Sequence, residues 1–402
     1  MALLVTLRAD ASSMNSVVLN GTPYSVNNII TRDVAIVGGG ATGTYSAIRL
    51  KDQGKTVVVI EGQDRLGGHT QTYHDPETGR TIDYGVVVWH NLAIVKNFFD
   101  RLNVSLAIGS LADVGIIKYM DFQTGKLLPD YTPSDPTAAL GIYAEQLAKY
   151  PYVESGFNLP YPVPVDLLLP FGEFVTKYHL EDMVGLIFTF AQGLGDILTQ
   201  PTIYIFKNFG SDILKDIQIG FLTTAEQDNS LLYEHALADL GQNVVLNSEI
   251  IAVDRSGRDC VQVLVKTPPG ITLVRSRRIV FTIPPKIDNL RGWDLDHLER
   301  SLFGQFSNSG YYTAIIRHSG VPDNLTIINV SNSTLYGLAP LPAIYKLSPT
   351  GVQGLLNAKF GSAQALADSE VEQQILSSVK KLQFSERGPS DPEVSRLAIL
   401  NK

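Results

Sequence analysis

Cysteine is almost absent from this 402-residue sequence, and long apolar runs do not occur in it. The single cysteine, Cys260, excludes an internal disulfide and any metal cluster built on cysteine ligands. No stretch reaches 18 consecutive apolar residues, so we expect no helix that spans a membrane. The sequence contains neither a His-Glu-x-x-His nor a Gly-x-Ser-x-Gly motif, and its seven histidines are scattered. We therefore predict neither a bound metal nor a serine nucleophile.

Positive charge is also scarce. The chain has 32 lysines and arginines against 40 aspartates and glutamates, which gives a net charge of −8. An acidic chain is a poor match for nucleic acid or for an anionic membrane surface, so we expect a small-molecule substrate instead. The hydrophobic fraction of 44% supplies ample material for a core, and the length predicts two or three domains or one with a large insertion.

The cellular compartment stays open at this point. The first seven residues are too short for the apolar region of a secretory signal. Five Asn-x-Ser/Thr sequons are compatible with a glycosylated, secreted protein. They are also compatible with chance, and a cytoplasmic protein is expected in that case. They begin at Asn20, Asn103, Asn324, Asn329 and Asn332.

A strand–helix–strand unit stands out near the N-terminus. Residues 33–37 form a short apolar, β-branched run that predicts a buried strand. A glycine-rich turn follows, and helical spacing then runs to Gly54, which is a plausible helix end. A second apolar run covers residues 56–60 and stops at Glu61. Together they make a βαβ unit of about 30 residues.

The turn of this unit has the spacing Gly-x-Gly-x-x-Gly, at Gly38, Gly40 and Gly43. Between a strand and a helix, the first glycine permits the tight turn, the second lets a pyrophosphate approach the backbone, and the third lets the helix pack closely. The free N–H groups and the positive dipole end at the helix N-terminus then stabilise the bound phosphates. Glu61 lies 18 residues beyond the last glycine. A carboxylate at this position accepts hydrogen bonds from the ribose hydroxyls and repels a 2′-phosphate. The pattern predicts a dinucleotide with an unphosphorylated adenosine ribose.

The segment after Glu61 favours FAD over NAD. Arg65 precedes a second glycine pair, Gly67 and Gly68, which offers further backbone N–H groups and a cation for the pyrophosphate. An NAD domain normally continues directly into another βαβ crossover, whereas a long extra loop suits the extended FAD molecule.

The combination of Glu-x-x-x-Arg-x-Gly-Gly with the preceding glycine turn resembles the signature of the flavin-containing amine oxidases and their glutathione-reductase-type FAD relatives. Residues 33–90 carry this resemblance most specifically, and residues 226–290 resemble the returning strands of the FAD domain. The resemblance implies that the backbone near residues 251–253 touches adenine. The residues predicted to bind FAD are Gly38, Gly40, Ala41, Thr42, Gly43, Glu61, Gly62, Arg65, Gly67, Gly68, His69 and Val253.

The stretch that ends in Trp89 and His90 lies beside the flavin ring in that family. Trp89 is therefore expected to stack near the isoalloxazine, and His90 to meet its polar edge, although a core tryptophan and an ordinary histidine are the alternatives. Many amine oxidases place a lysine near flavin N5, but the comparable run here, residues 309–316, has none. Tyr311 and Tyr312 alternate on that strand, and Tyr312 is predicted to face the substrate, with ordinary strand packing as the alternative.

The predicted fold is α/β, with a discontinuous, Rossmann-like FAD-binding domain and an inserted α+β substrate domain. After an irregular arm at 1–32, the FAD domain takes residues 33–90 and 226–290, and the substrate domain takes 91–225 and 291–402. Residues 91–228 are expected to be mainly helical, and the tail from 392 helical at best. The family's C-terminal element that closes over the flavin is not recognisable, so a truncated chain with an exposed flavin ring is expected.

These features predict an FAD-dependent oxidoreductase of the amine-oxidase type. It would remove a hydride from a C–H next to nitrogen, or a similarly activated one, with oxygen as the reoxidant. Residues 191–196 look most like the branch of fungal natural-product enzymes that contains beta-cyclopiazonate dehydrogenase. Two alternatives are an oxidative cyclase or desaturase of a natural-product pathway, and a truncated, inactive flavin-fold protein.

Overall fold

The computed structural model describes residues 15–109, 114–383, 388 and 390–401. The chain divides into two units by contact density. The first combines residues 1–68 with 230–306, and the second combines 69–229 with 307–402. Part of the predicted arm, residues 1–14, lies outside the described residues.

Strands and helices alternate along both units. The strands are β1 Asn15–Leu19, β2 Thr22–Val26, β3 Asn28–Val37, β4 Val57–Ile60, β5 Thr72–His74, β6 Thr81–Asp83, β7 Leu106–Gly109, β8 Ile116–Asp121, β9 Lys126–Leu127, β10 Phe221–Thr224, β11 Val244–Val245, β12 Glu249–Gly257, β13 Cys260–Thr267, β14 Gly270–Phe281, β15 Gly310–Arg317, β16 Leu325–Asn329, β17 Ala343–Pro349, β18 Leu355–Ser362 and β19 Glu393–Asn401. The helices are α1 Ala41–Asp52, α2 Ala93–Arg101, α3 Thr137–Ala148, α4 Tyr152–Ser155, α5 Val165–Leu168, α6 Phe171–Tyr178, α7 Val184–Ala191, α8 Thr202–Asn208, α9 Ser211–Ile219, α10 Leu231–Leu240, α11 His297–Phe303 and α12 Asp368–Lys381.

The first unit is built on a six-stranded sheet in the order β11-β4-β3-β14-β13-β12. The neighbours β11, β4, β3 and β14 are parallel, whereas β13 runs antiparallel to both β14 and β12. Val37 pairs with both Ile60 and Phe281, so β3, β4 and β14 finish at one edge of the sheet. In such a sheet the carboxyl ends of the parallel strands form the ligand-binding edge.

Residues 15–32 are more regular than predicted. They form the hairpin β1–β2 and the first half of β3, which pairs with β14 from Asn28 onward. The hairpin turns at Asn20 and Gly21, whose φ angles of 49° and 77° suit a two-residue turn with left-handed backbone. Leu19 and Val26 are buried against the sheet. The Asn-Gly pair is the signal that the sequence analysis overlooked.

The second unit contains a seven-stranded sheet in the order β19-β15-β18-β17-β16-β8-β9. One face of it packs under α12 through a cluster that includes Tyr312, Phe360 and Ile375. The hairpin β5–β6 packs on β15 and the start of β18, where Ile82 meets Ile315 and Leu355. A separate core of helices α3 to α8 is rich in phenylalanine and tyrosine.

Residues 91–228 are mainly helical, as predicted, although the short strands β7 to β10 also lie within them. One secondary-structure prediction in the second unit is corrected. The tail from Glu393 is a strand, β19, paired with β15. A register shift at Ser395 brings Val394 and Leu397 onto the same cluster, and that three-residue spacing imitates a helix in the sequence.

The division into units differs from the predicted boundaries at 90 and 290. Residues 69–90 join the second unit because the β5–β6 hairpin packs on its sheet. Residues 291–306 join the first because Arg255 of β12 bonds both Asp294 and Glu299, at 2.6 and 2.7 Å. Phe303 also packs on the core of the first sheet.

None of the helices in the described ranges has the length and apolar character needed to cross a bilayer. The same residues bring together no group of three or more histidine, cysteine or acidic side chains suited to a metal ion.

Candidate functional site

The glycine turn begins directly after β3. Gly38 has a φ of 97°, and its N–H donates to the Ile60 carbonyl at 2.9 Å. A Cβ on Gly38 would lie 2.6 Å from a methyl carbon of Ile283, which follows β14. Both the backbone conformation and the close neighbour therefore require glycine here.

Gly43 lies in the first turn of α1 and fixes how closely that helix approaches the turn. A Cβ at this position would come within 1.9 Å of the Gly38 carbonyl oxygen. Such a distance is impossible without moving the helix. Gly43 is thus a packing requirement of the fold, as predicted for the third glycine of the motif.

Gly40 differs from the other two glycines because the fold does not need it. Its φ is −69°, which any residue adopts, and a Cβ there would meet no atom closer than the Cα of Gly68, at 3.9 Å. In the other direction, a Cβ on Gly68 would lie 3.0 Å from the Cα of Gly40. The two loops face each other glycine to glycine, and the space beside Gly40 is one that a side chain would fill. This space fits the approach of a phosphate to bare backbone.

The helix α1 adds a favourable field to this space. Gly40 is its N-cap and has no side chain to satisfy the first N–H groups, which belong to Ala41, Thr42 and Gly43. No acidic residue stands in the first turn, whereas Arg49 and Lys51 stand in the last. The helix therefore presents free donors and the positive end of its dipole to an anion.

Glu61 is almost fully buried and is held by the backbone of two loops. One carboxylate oxygen accepts the N–H of Gly39 at 2.5 Å, and the other accepts the N–H of Gln63 at 2.7 Å. These bonds fix the plane of the carboxylate at the end of β4, and each oxygen keeps a further lone pair for a ribose hydroxyl. A Cβ on the neighbouring Gly62 would lie 3.6 Å from the carbonyl oxygen of Ser248.

Arg65 holds the second glycine loop in place through hydrogen bonds. Its guanidinium donates to the carbonyls of Leu66 and Gly68, at 3.0 and 2.9 Å. Gly67, with a φ of 111°, donates its N–H to the Gly39 carbonyl at 2.8 Å. The arginine thus positions the loop, and its charge stays beside the glycines.

Val253 does not suit the role predicted for it. Its side chain is fully buried, its N–H donates to the Gly292 carbonyl, and its own carbonyl accepts from Asn20. The segment adjacent to the ribose carboxylate lies earlier, where Glu61 donates its N–H to Val245 and accepts from Ser248. We therefore leave Val253 out of the proposed site.

The remaining predicted residues belong to the second unit. His69 is exposed, and its carbonyl accepts the N–H of Val86 at 3.1 Å. Trp89 is half-buried, exchanges two backbone hydrogen bonds with Leu222, and packs edge-on against Phe99. Trp89 therefore keeps a structural role whatever else it does.

His90 forms an ordered pair with an acid that the sequence analysis missed. Its Nδ1 lies 2.7 Å from a carboxylate oxygen of Asp216, which is 1% exposed. The other oxygen of Asp216 accepts the N–H of Asn91 at 3.2 Å. The acid comes from α9, 126 residues away, and only the fold could have revealed it.

Tyr312 is not a cavity residue. Its side chain is fully buried under α12, and its hydroxyl bonds the backbone of Leu366. Tyr311 points to the other face of the sheet, and its hydroxyl lies 2.9 Å from that of Tyr345. Tyr312 therefore has the structural role that was the alternative, and the sequence does not reveal this because it does not tell which face α12 covers.

A cavity of about 410 Å³ lies in the second unit, where β6, β7 and β10 face the seven-stranded sheet. Its wall includes Asp83, Lys346, Asn357 and Lys359. Burial, and to a lesser degree the nearby Asp228, raises the pKa of Asp83 to about 7. Hydrogen bonds from Thr72 and from the backbone of Asn229 oppose that rise.

Comparison with known proteins identifies the family to which the chain belongs. Residues 36–102 match the model of an NAD(P)-binding Rossmann-like domain. The FAD-dependent oxidoreductase dbaF of Emericella nidulans is 38% identical over 401 residues, which cover 98% of this chain and 83% of the relative. The chain belongs to this family of FAD-dependent oxidoreductases.

Other members of the FAD-dependent oxidoreductase family agree with that assignment. The oxidoreductase oblC of Cochliobolus heterostrophus is 39% identical, covering 91% of this chain and 78% of its own. Beta-cyclopiazonate dehydrogenase of Aspergillus oryzae is 34% identical, covering 85% and 75%. The predictions of an FAD cofactor and of an oxidoreductase are therefore confirmed.

Solved structures confirm the fold. A fatty acid isomerase from P. acnes superposes with a TM-score of 0.70 at 19% identity, covering 92% of this chain and 85% of its own. Putrescine oxidase bound to putrescine gives 0.61 at 19% identity with the same coverage. At this identity the likeness establishes the α/β fold and nothing about the substrate.

Proposed function

We propose that this FAD-dependent oxidoreductase dehydrogenates a small-molecule intermediate of a natural-product pathway. In this reaction a substrate C–H leaves as a hydride, and a proton leaves from the neighbouring carbon, nitrogen or oxygen, so that one double bond forms. When bound, FAD supplies the two-electron acceptor for the hydride, and we propose that oxygen then takes up the electrons. The relatives named as dehydrogenases of beta-cyclopiazonate support this reaction class.

The FAD would be held by the first unit. The bare backbone of Gly40 and Gly68 and the donors of Ala41, Thr42 and Gly43 would bind the pyrophosphate. Glu61 would accept the adenosine ribose hydroxyls, and Arg65 would keep the second glycine loop in place. Gly38, Gly62 and Gly67 provide the turns that bring these groups together. His69, the next residue after the loop, stays a predicted contact of the cofactor, and its side chain is exposed.

The observation that carries the proposed proton transfer is the pairing of His90 with buried Asp216. A carboxylate only accepts hydrogen bonds, so Nδ1 donates to Asp216, and in the neutral imidazole Nε2 then carries the lone pair. The imidazole is 42% exposed, and Nε2 makes no hydrogen bond with a described residue. His90 can therefore take the substrate proton at Nε2, while Asp216 orients the ring and stabilises the resulting imidazolium. Trp89, next in the chain, would shape the apolar side of the substrate site.

A second candidate is oxidative cyclisation, in which the same hydride loss is followed by a new bond within the substrate. The relative named beta-cyclopiazonate dehydrogenase is compatible with it, because both candidates begin with the same loss of a hydride. Both candidates remove two hydrogens, so mass alone does not separate them. The number of double bonds and rings in the isolated product does.

The experiment is a comparison of His90→Gln and Asp216→Asn with the wild type. All three proteins are measured for bound FAD, hydrogen peroxide release and the rate of flavin bleaching under anaerobic conditions with candidate substrates. We expect FAD content to be unchanged and bleaching to slow by about 10²–10⁴-fold in His90→Gln, the usual range for a lost general base. Bleaching at the wild-type rate in His90→Gln would contradict the assigned role.

A further inference from the structure

Aromatic rings line another cavity of the second unit. Its wall includes residues of β8, β16, β17 and α7. Its volume is about 270 Å³, which is below the usual range for a whole drug-sized ligand and suits a part of one. The aromatic residues that line it are Tyr119, Tyr131, Phe188, Tyr336 and Tyr345. Flat rings in several orientations suit a flat, conjugated ligand, because aromatic pairs prefer offset-stacked and edge-on arrangements.

Most of these rings are held in place by one another. The ring centroids of Tyr119 and Tyr131 lie 4.9 Å apart. Phe188 meets Tyr345 edge-on, with 6.0 Å between the centroids. The hydroxyl of Tyr345 is already bonded to that of Tyr311, so Tyr345 offers the cavity its ring and not its hydroxyl. The aromatic wall is therefore formed before a ligand binds, which lowers the entropy cost of binding.

The hydroxyl of Tyr131 is the polar group that the fold leaves open. It makes no hydrogen bond with any residue that the structure describes, although Tyr131 is half-buried. A Cβ on Gly337 would lie 2.8 Å from this oxygen, so the hydroxyl stands beside bare backbone at the cavity wall. Burial, and to a lesser degree Tyr119, raises the pKa of Tyr131, so the phenol keeps its proton at neutral pH. The group that would complete it is a hydrogen-bond acceptor, such as a carbonyl oxygen.

Tyr336 lines the cavity from a strained backbone. Its φ and ψ angles are 57° and 18°, and Gly337 follows with a φ of 68°. Left-handed backbone is unfavourable for an aromatic residue, and such strain clusters at ligand sites. The turn is held by Thr334, whose hydroxyl donates to the carbonyl of Leu338 at 2.6 Å. The fold therefore maintains an unfavourable conformation at a residue of the cavity wall.

Gly185 leaves space open on the α7 side of the cavity. It lies in the first turn of that helix, and a Cβ on it would meet no neighbouring atom within 4 Å. Packing within the fold therefore does not require glycine here, and glycine is a poorer helix former than alanine. Because Gly185 lines the cavity, a large side chain at this position would occupy part of its volume.

We propose that this cavity binds the planar, conjugated part of the substrate, with a carbonyl oxygen of that part accepting a hydrogen bond from Tyr131. The substrate class is thus a conjugated ketone, lactone or amide. This inference rests on the proposed dehydrogenase function, since it names the class of that enzyme's substrate. A carbonyl acidifies the C–H beside it, so this class suits the loss of a proton and a hydride. None of the described lining residues is acidic and Lys346 is basic, so the lining does not favour a cationic ligand.

The test is an NMR titration of the FAD-loaded enzyme that follows the signals of bicyclic probes of similar size. Coumarin is planar and carries a carbonyl, and octahydrocoumarin is its saturated counterpart. Naphthalene is planar without a carbonyl, and N-methylquinolinium is planar with a positive charge. Each probe is titrated at several concentrations, and a dissociation constant is fitted for every protein.

Two variants change the cavity and one serves as the control. Tyr131→Phe removes only the hydroxyl, and Gly185→Leu fills the open space. Gly141→Leu is the matched control, because a Cβ on Gly141 in α3 also meets no neighbouring atom and this residue does not line the cavity. Only proteins with wild-type FAD content and melting temperature are compared. If Gly185→Leu is unstable, Tyr131→Phe and the probe series still decide the question.

We expect the wild type to bind coumarin about two- to tenfold more tightly than octahydrocoumarin, the usual gain from aromatic pairing. Tyr131→Phe should raise the dissociation constant of coumarin about two- to tenfold, the usual loss for a neutral hydrogen bond, and leave that of naphthalene unchanged. Gly185→Leu should raise both constants about tenfold or more, because the space is then filled. Gly141→Leu should change neither.

Three results would overturn the inference. They are octahydrocoumarin or N-methylquinolinium binding as tightly as coumarin, coumarin affinity unchanged in Tyr131→Phe, and coumarin affinity lost in Gly141→Leu but kept in Gly185→Leu. If one of these occurs in an enzyme that does dehydrogenate a substrate, the site is wrong and the proposed reaction stands. An enzyme that binds coumarin through Tyr131 but oxidises no conjugated carbonyl compound would support this site and contradict the proposed reaction.

Discussion

Replacing Gly40 separates the cofactor-binding role of the glycine turn from its folding role. The backbone at this position allows any residue, and the nearest atom to a new Cβ is 3.9 Å away. Valine is a poorer N-cap than glycine, but it also lowers the entropy of the unfolded chain. These two effects oppose each other, so we expect the free energy of unfolding of the FAD-free protein to change by less than about 1 kcal/mol.

The effect on FAD should be much larger. A side chain at Gly40 fills the space between the two glycine loops and keeps phosphate oxygens from the N–H groups of α1. Losing one or two charge-assisted hydrogen bonds costs about 2–4 kcal/mol, which raises the dissociation constant for FAD roughly 30- to 1000-fold. Gly40→Ala should fall between the wild type and Gly40→Val.

The assay is fluorescence titration of FAD-free protein with FAD, together with urea denaturation of the same samples. Gly141→Ala and Gly141→Val are the controls, because a Cβ there also meets no neighbouring atom and the site lies in α3 of the other unit. Gly43→Ala is the opposite case and should lose stability and FAD together, because its Cβ would overlap the Gly38 carbonyl. If Gly40→Val binds FAD as tightly as the wild type, the turn does not hold the pyrophosphate.

Three further predictions concern the second unit. Asp216→Asn should keep FAD but slow anaerobic flavin bleaching, since His90 then loses the carboxylate that orients its ring; bleaching at the wild-type rate would contradict the positioning role. Because the pKa of Asp83 is raised to about 7, its contribution to stability is present below about pH 4 and is lost as the pH rises through 7. In urea denaturation from pH 5 to 8, the free energy of unfolding of Asp83→Asn should therefore depend less on pH than that of the wild type. An unchanged slope would contradict the raised pKa. If the protein is expressed through a secretory pathway, mass spectrometry of its peptides should find sugar at exposed Asn103 and not at Asn329, which is buried and bonds Phe122 and Ile344.

The dinucleotide unit was predictable because its signals are local. The strand, turn and helix around Gly38, Gly40 and Gly43 require special backbone or close contacts within a few residues, and the motif spacing records those requirements. Glu61 follows from the strand that ends beside it. The contact predicted for Val253 stays a prediction, and the sequence could not tell that the backbone N–H and carbonyl of this residue are both bonded within the fold.

The second unit was less predictable because its determinants are far apart in the chain. His90 meets Asp216 only after the intervening helices fold, and Lys359 meets Lys346 and Thr313 only through strand register. The alternation of polar Asn357 and Lys359 with apolar Ala358 and Phe360 was the available signal, and it becomes informative only when α12 is known to cover the apolar face.

The measurement that tests the central claim most directly is identification of the cofactor that the purified protein releases on denaturation. The protein is unfolded with acid, and the supernatant is separated by chromatography with FAD, FMN, NAD and NADP as standards. We predict FAD, approaching one molecule per chain, with Glu61→Gln retaining less of it than the wild type. Release of FMN or NADP in place of FAD would contradict the site described around Gly40 and Glu61.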